Sequence, residues 1–478
     1  MRIKEIEISN FKGFYDTCTI NMTNDKHGTN CLNLVVYGEN GSGKSSLYQA
    51  LELFLESSEE NLDFRIYRNI FAISDDDPNS KSKNDGYIKL TLRDSNDHIY
   101  VWSPTRRETT NTTIVQANKA KGFLDYKSLL DTYFLHRSED NVDLFFLLIE
   151  NLLANAFNDI TGKTFGSEWN EIQAIVAGRV TKAKRQQLDD LLANFSQGLI
   201  AKLETLQDKA SDILSVFEYK LKIELQFNGL GYAEDKKEIT GNHIILRVDF
   251  FKKPFGKHHI FLNEAKLSAI ALSIYLASLL QIPMPDLKLL VLDDVLIGLD
   301  MSNRIPVLGI LENFFPDHQK IITTYDRQWY EMVRLRTKDS EWKYIEFYSG
   351  QLDDFEIPVL KNAQNYLDTA RNHLTAKDYK ACAVYIRTAF EIELKNLAMK
   401  KNIKLPYKDV MNESLTSGPL LDACKYLLQQ ATYDQLVMYR KFIMNPLSHS
   451  QLSTIYEQEL TDSIKAVEDL VTEIQNIR

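Results

Sequence analysis

Residues 38–45 of the chain read GENGSGKS, a complete G-x-x-x-x-G-K-[ST] phosphate-binding motif. Glycines let the backbone turn tightly and point its N–H groups at phosphate oxygens. In such a loop Lys44 reaches the β and γ phosphates, and the Ser45 hydroxyl is a ligand for Mg²⁺. A glycine-rich surface turn is the alternative. The motif lies between an apolar strand pattern at residues 32–37 and helical spacing at residues 44–56, and this context favours the phosphate site.

Two adjacent acids further along the chain supply the partner that such a loop needs. Residues 287–292 read LKLLVL, a short apolar strand, and Asp293 and Asp294 follow it directly. Ligands of open α/β sheets bind at the carboxyl ends of the strands. Asp293 is predicted to hold Mg²⁺, and Asp294 to orient or polarise the attacking water. A strand that ends in an acidic turn is the alternative, and the upstream loop favours the site.

The remaining patterns divide the chain into a mixed part and a helical part. Strand patterns recur at residues 87–92, 98–102, 244–250 and 320–324, with the last strand of this part expected at residues 342–348. Between residues 122 and 225 the pattern is helical. Apolar residues there recur at steps of three and four from Leu188 to Phe217, which predicts one helix of about thirty residues, longer than the usual ~8–20. After residue 355 only helical spacing remains.

Composition sets limits on function. A net charge of −10 over 478 residues argues against a generally basic protein that coats nucleic acid. The four cysteines are scattered without a CxxC pair, which is typical of reduced cysteines in a cytoplasmic protein. No confident membrane span is present, so we expect no membrane association. One basic run could touch nucleic acid, with a solvated hairpin as the alternative; its members are Lys252, Lys253, Lys257, His258 and His259.

The order of these pieces, with the opening ISNFKGF at residues 8–14, resembles the split heads of SMC, RecF and related ABC ATPases. In that family an arm interrupts the ATPase fold, and ATP lies between two heads. The resemblance implies ATP and Mg²⁺ as cofactors, ATP hydrolysis, and a homodimer or higher homo-oligomer formed through the heads. It assigns catalysis to Lys44 and Asp294, the metal to Ser45 and Asp293, and nucleotide binding to Gly38, Asn40, Gly41, Gly43, Lys44, Ser45 and Ser46.

Further segments resemble the parts of the family that meet the nucleotide from the partner head. Residues 262–267, LNEAKL, resemble the signature motif, with Asn263 in place of its serine and Lys266 beside it as a further nucleotide contact. Residues 297–300, IGLD, resemble the loop that crosses the dimer interface. Tyr325 stands where the family usually has a histidine. Because tyrosine can donate a hydrogen bond to phosphate but gains no charge near neutral pH, slow turnover is expected.

The C-terminal part resembles the HEPN helical superfamily in four segments, residues 363–374, 378–383, 387–391 and 445–449. Many HEPN proteins are ribonucleases in which an arginine stabilises the charged phosphorane and a histidine acts as acid or base. Here Met444 occupies the position expected for the arginine. The candidate ribonuclease site is therefore Arg440 with His449, and a structural histidine in a helical bundle is the alternative.

Together these patterns predict an α/β fold: a split P-loop ATPase head of the ABC type with a short helical insertion, plus an all-α C-terminal bundle. The expected segments are 1–121 and 236–354 for the two lobes of the head, 122–235 for the insertion and 355–478 for the bundle. The combination resembles bacterial anti-phage ATPases such as those of Septu and PARIS-type systems. It implies a regulatory ATPase subunit that senses infection and controls a separate nuclease or toxin. The alternatives are an ATP-gated HEPN ribonuclease similar to the anticodon nucleases, and a RecF-like DNA repair ATPase.

Overall fold

The computed structural model describes residues 1–23, 30–72, 85–131, 142–178, 180, 182–255, 257–338, 340–352, 355–362, 366–403, 417–448 and 457–476. The chain divides into two compact units, Met1–Asn362 and Ala363–Arg478.

The first unit contains both strands and helices. Its strands are β1 (Arg2–Ser9), β2 (Cys18–Asn21), β3 (Asn33–Gly38), β4 (Tyr87–Arg93), β5 (Asp97–Trp102), β6 (Gly122–Asp125), β7 (Val142–Asp143), β8 (Leu221–Gln226), β9 (Gly231–Ala233), β10 (Glu238–Thr240), β11 (Ile245–Phe250), β12 (Lys253–Phe255), β13 (Leu289–Asp293), β14 (Gln319–Thr324), β15 (Trp342–Leu352) and β16 (Phe355–Asn362). Its helices are α1 (Lys44–Glu56), α2 (Thr112–Lys119), α3 (Tyr126–Asp131), α4 (Phe165–Ala177), α5 (Lys182–Ser215), α6 (His258–Phe261), α7 (Glu264–Leu279), α8 (Met301–Phe314) and α9 (Arg327–Arg336).

A central sheet carries the two motifs that the sequence singled out. In the described part of the chain its strand order is β16-β15-β3-β14-β13-β6, and every neighbouring pair except β15–β16 is parallel. All five residues of β13 are buried, as expected for a parallel strand covered on both faces. The carboxyl ends of β3 and β13 therefore lie at the same edge of the sheet, with β14 between them.

A second, antiparallel sheet of order β2-β1-β4-β5 packs with α1 around a shared core. Ile3, Ile6 and Ile8 are fully buried although their spacing changes from three to two. The register of β1 against β4 shifts between Ile3 and Glu5, and such an irregularity moves the following side chains by one position.

The predicted helical insertion is only partly helical. The long helix is confirmed as α5, with 34 residues and a buried stripe from Leu188 to Leu214. The expectation of helix from residue 122 onward is wrong, since β6 pairs with β13 as an outer strand of the central sheet. Strands β8 and β7 also pair with β11. Short strands such as β6 carry too few residues for periodicity to separate them from a helix.

The prediction that only helices follow residue 355 is also wrong by several residues. Residues 355–362 form β16, which pairs antiparallel with β15 along its whole length. The strand predicted at residues 342–348 is β15, and it is followed by β16 in the same sheet. Pro358 within β16 weakens the sequence pattern of a strand, and it is tolerated because β16 is an edge strand.

The second unit is helical in its described part, with α10 (Tyr366–Thr375), α11 (Tyr379–Lys400), α12 (Ser417–Cys424), α13 (Gln430–Tyr439), α14 (Asn445–Ser448) and α15 (Glu457–Asn476). One turn between α13 and α14, Arg440–Met444, is a π-helix. The apolar face expected on α11 is buried in the core of this unit, namely Ala383, Ile386, Phe390, Leu394 and Leu397. Among the described helices of the whole chain, none is long and apolar enough to cross a membrane.

Candidate active site

The P-loop joins the end of β3 to the start of α1. Gly41 and Gly43 have φ angles of 84° and 101°, a region that favours glycine, so the loop can fold back toward the helix. Gly43 is the N-cap of α1, and no side chain makes a capping hydrogen bond there. The first N–H groups of a helix have no partner within the helix and carry its positive dipole end. This geometry of loop and helix suits an anion.

The loop is closely packed at its base. A Cβ atom on Gly38 would lie 2.2 Å from Oγ of Ser42 and 3.0 Å from the carbonyl oxygen of Phe347. The Ser42 side chain is 1% exposed, and its hydroxyl makes no hydrogen bond within the described part of the chain. A buried hydroxyl without a partner is costly, and a bound phosphate oxygen would supply one.

Lys44 is positioned between the loop and the acids of β13. Its ammonium donates to the carbonyl oxygens of Gly38 and Glu39 at 2.8 and 3.1 Å. The same Nζ atom lies 3.6 Å from Oδ2 of Asp294, and the side chain is 4% exposed. A buried ammonium group must be paired, and here its partners lie at or just after the carboxyl ends of β3 and β13.

Asp293 and Asp294 differ in environment although they are adjacent. Asp293 is the last residue of β13 and accepts a hydrogen bond from the Thr323 hydroxyl. Asp294 has a φ angle of 53°, which is uncommon for a residue other than glycine. Such a backbone conformation persists only where the surrounding structure enforces it. Its Oδ1 accepts from the backbone N–H of Tyr325 at 2.9 Å.

The pKa of Asp294 lies above its ordinary value. Burial is the largest cause, the neighbouring Asp293 adds to it, and Lys44 and the Tyr325 N–H oppose it. A carboxyl group with a raised pKa, next to an ammonium group and at a phosphate-binding loop, is a candidate for a group that handles a proton or a water molecule.

The donor set also fits a nucleotide with Mg²⁺. Asn40, Gly41 and Ser45 are exposed at the mouth of the loop, and Asp293 supplies a carboxylate at the neighbouring strand end. Mg²⁺ is usually held by one or two carboxylates together with phosphate oxygens and water. No cluster of three or more acidic, histidine or cysteine side chains suited to a metal occurs among the described residues.

A model of the RecF/RecN/SMC N terminal domain family matches residues 2–339. The chain belongs to this family. The match spans the P-loop, the arm and the acids of β13, and it ends shortly before β15.

Solved structures similar to the chain include SMC heads. An SMC head bound to the C-winged helix domain of ScpA is 13% identical, covers 77% of this chain and 100% of its own, and has a TM-score of 0.41. An Smc head with an extended coiled coil, bound to the C-terminal domain of ScpA derived from Pyrococcus furiosus, is 14% identical, with coverages of 79% and 99% and a TM-score of 0.38. The SMC head from Thermotoga maritima is 14% identical, with 76% and 100% covered and a TM-score of 0.34. A comparison with curated protein sequences finds no match.

In this RecF/RecN/SMC family member the segment read as a signature caps helix α7. Asn263 is the N-cap, and its Oδ1 accepts from the backbone N–H and the ammonium of Lys266 at 3.2 and 3.3 Å. Asn263 is exposed, whereas Lys266 is half-buried, with its ammonium 5.3 Å from the ring centroid of Tyr219. Next to them, Glu264 accepts a hydrogen bond from the Tyr126 hydroxyl at 2.9 Å. A Cβ on Gly298 would lie 3.3 Å from Glu264, so the loop after the acids packs on this helix.

Two other residues predicted to bind nucleotide, Tyr325 and Ser46, make different contacts. Tyr325 is 41% exposed and reaches the site through its backbone N–H, which binds Asp294. The hydroxyl of Ser46 accepts a hydrogen bond from the N–H of Gly13 at 3.3 Å.

Sequence reasoning missed residues that the fold brings to this edge of the sheet. Thr323, on β14, fixes one oxygen of Asp293. Asp125 ends β6 in register with Asp293, so a third acid follows a strand at the same edge. Arg304 pairs with Asp326 at the start of α9. The signal for Asp125 was present, since residues 122–125, GFLD, repeat the pattern of a short apolar run that ends in an acid.

The candidate ribonuclease residues lie in the second unit. Arg440 is half-buried at the start of the π-helical turn, and its Nε donates to Oγ of Ser417 at 3.3 Å. His449 lies outside the described residues. Arg387 and Glu391, four residues apart on α11, form a salt bridge at 2.9 Å.

The basic run is a hairpin as far as Lys253, with the turn of the β11–β12 pair at Phe251 and Lys252. It is not a continuous solvated stretch. His258 and His259 are 3% and 5% exposed, and burial lowers the pKa of His258 to about 4, so its ring is neutral at neutral pH. The run therefore offers fewer positive charges to nucleic acid than its sequence indicates.

Proposed function

We propose that the chain binds ATP with Mg²⁺, hydrolyses it, and acts as a regulatory ATPase. The observation that carries this proposal is the placement of Lys44, whose ammonium lies between the P-loop carbonyls and the Asp294 carboxylate. Bound phosphates would replace the carbonyls as the partners of Lys44, and Asp294 would then face the attacking water. Family membership supports the same conclusion.

The nucleotide would be held by Gly38, Asn40, Gly41, Gly43, Lys44, Ser45 and Ser46, with Mg²⁺ at Ser45 and Asp293. Asn263 is exposed and Lys266 is half-buried, and this position supports the further proposal that they serve the nucleotide of a second copy. Their contacts leave them at the start of α7, where a helix N-terminus favours an anion. The chain would then form a homodimer, or a higher homo-oligomer, with ATP between the heads.

For the biological role we propose a regulatory subunit of an anti-phage defence system in the cytoplasm, which controls a separate nuclease or toxin. This rests on an ATPase head followed by a helical unit, and on the resemblance of that unit to HEPN domains. The short arm fits this role better than tethering of distant DNA, because α5 with its 34 residues is about 50 Å long.

ATP hydrolysis by the purified chain, compared with Lys44→Ala, tests the enzymatic part. Loss of the ammonium removes the charge that meets the β and γ phosphates, so hydrolysis should fall to background. Lys89→Ala is a matched control, because Lys89 lies on β4 in the same unit and pairs with Glu7 at 2.7 Å. Equal hydrolysis by Lys44→Ala and wild type would exclude this site as the catalytic one.

Cleavage of total tRNA and single-stranded RNA, with and without MgATP, separates the regulatory role from the ribonuclease alternative. The regulatory role predicts no cleavage by the chain alone. Cleavage that is lost in both His449→Ala and Arg440→Ala would make the C-terminal unit the effector. Duplex DNA binding that depends on ATP and weakens steeply with salt would instead favour the DNA repair alternative.

A further inference from the structure

Strand β16 lies against the P-loop through side chains at alternate positions. A Cβ atom on Gly43 would lie 2.7 Å from Cγ of Pro358, and one on Gly41 would lie 4.0 Å from Oε2 of Glu356. Residues two apart on a strand share a face, so one face of β16 is turned to the loop. The edge strand of the central sheet therefore forms a wall of the phosphate site.

The ring of Pro358 lies close to two glycines. The positive φ of Gly43 and the nearness of the ring both exclude a side chain at that position. The ring also lies near Gly13, whose added Cβ would be 3.7 Å from the same Cγ atom. Because the proline ring is rigid, it can fix the backbone of the loop.

In the described sheet, β16 has a neighbouring strand on one side only. It pairs with β15 and has no strand beyond it in the described sheet. At its start the Phe355 ring stacks on Phe71 at 4.2 Å and packs on Tyr15 at 5.1 Å. At its end is Asn362, the last residue of the first unit. The chain thus enters the second unit directly from a strand that touches the P-loop.

We propose that β16 senses phosphate at the P-loop, with Pro358 and Glu356 acting on the loop in opposite directions. Pro358 supports the Gly43 backbone in its binding conformation. The carboxylate of Glu356, close to Gly41, repels the phosphates bound there. Both are positioning residues, since they act through the loop. The inference rests on the proposed binding of ATP at this loop and adds a strand that responds to that binding.

Binding of MgATP and of Mg-tripolyphosphate to the full chain tests the two contacts. Tripolyphosphate carries the phosphates without the nucleoside, so a loop effect should change both affinities alike. Pro358→Ala removes two ring methylenes and should weaken both by about five-fold. Glu356→Gln should strengthen both by about two-fold at low salt and by less at high salt. Glu356 is exposed, so this variant should fold normally.

Val359→Ala is the matched control. Val359 is the next residue of the same strand, and it points to the other face, toward Gly350. It should leave both affinities unchanged, whereas a general weakening of β16 would lower them in both Pro358→Ala and Val359→Ala and would overturn the proposal.

The rate of amide hydrogen exchange in residues 355–362 tests whether the strand responds to nucleotide. A strand with a purely structural role would exchange at the same rate with and without MgATP. Exchange should slow when MgATP is added to the wild type and stay constant in Lys44→Ala. Unchanged exchange in a wild type that binds MgATP would overturn the inference and leave the proposed function standing. Failure of the wild type to bind MgATP would instead overturn the proposed function.

Discussion

The polar side chains of the P-loop site and those of the C-terminal unit are held in opposite ways. In the site, Lys44 is 4% exposed and Asp294 has an unfavourable φ angle. In the C-terminal unit the ion pairs are partly solvated, as with Arg387 and Glu391 on one face of α11 at 2.9 Å. Pairs of the second kind add about 0.3–0.5 kcal/mol each and need no function to explain them.

This difference in burial and backbone conformation shows which polar groups are candidates for a catalytic role. A charge taken out of water, or a backbone held in a rare conformation, lowers stability and persists only where the surrounding structure enforces it. The P-loop site combines both features with a buried hydroxyl, that of Ser42, which has no partner among the described residues. Arg440, by contrast, is half-buried and already bonded to Ser417. The comparison supports the proposed catalytic centre in the first unit.

The largest expected effect comes from Asp294→Ala. Without the carboxylate that faces the water, ATP hydrolysis should fall about 100-fold or more while ATP still binds. ATP should then be trapped and the dimer strengthened, which the mass of the protein in ATP would report. As the control in the other unit, Asp422→Ala removes an acid that accepts from the Tyr433 hydroxyl, and hydrolysis should not change. An unchanged mass of Asp294→Ala in ATP would contradict the sandwich.

Two glycine substitutions sharpen the comparison. At Gly38 an added methyl group meets Ser42 and the backbone carbonyl of Phe347, neither of which can move freely, so Gly38→Ala should weaken MgATP binding by about ten-fold or more. At Gly418 the added methyl group meets the flexible end of Arg440 at 2.3 Å, which can turn away. Gly418→Ala should change stability by less than about 1 kcal/mol and leave nucleotide binding intact. Titration with MgATP and thermal unfolding measure the two effects.

Acid should destabilise the first unit through His318. Burial, with smaller contributions from Lys320 and Lys288, lowers the pKa of His318 to about 4. The unfolded chain therefore binds a proton between about pH 6.5 and pH 4 that the folded chain does not, and stability falls as pH falls through this window. Between pH 7 and pH 5 the loss from this group is roughly 2 kcal/mol.

Urea unfolding followed by tryptophan fluorescence measures this effect, because all four tryptophans lie in residues 1–362. His318→Gln should lose less stability between pH 7 and pH 5 than the wild type. His373→Gln is the control, because His373 lies in the second unit. Its side chain is partly exposed, with Nδ1 3.7 Å from Oδ2 of Asp378. Equal losses in His318→Gln and wild type would show that another group causes the acid sensitivity.

The smallest expected effect is that of Arg387→Ala. It removes a one-turn salt bridge at the surface of α11 and should lower the stability of the C-terminal unit by about 0.5 kcal/mol or less. ATP hydrolysis should be unchanged. Thermal unfolding by circular dichroism measures the change, and a loss of several kcal/mol would mean that Arg387 has a role beyond its pair with Glu391.

The sequence by itself determined the features whose residues are neighbours along the chain. The P-loop at residues 38–45, the apolar strand that ends at Asp293, the stripe of α5 and the buried face of α11 all follow from local spacing. Glycine conformation and helical or strand periodicity act over a few residues, so a pattern of residue types is enough to predict them.

Only the tertiary structure decided which distant segments share an edge. The Lys44–Asp294 contact, the Thr323 bond to Asp293 and the left-handed conformation of Asp294 arise because β3, β14 and β13 pair in parallel. The placement of β6 and β16 in the central sheet likewise depends on partners far away in sequence. A four-residue run and a strand containing proline are weak local signals, and pairing with β13 and β15 supplies the hydrogen bonds that make them strands.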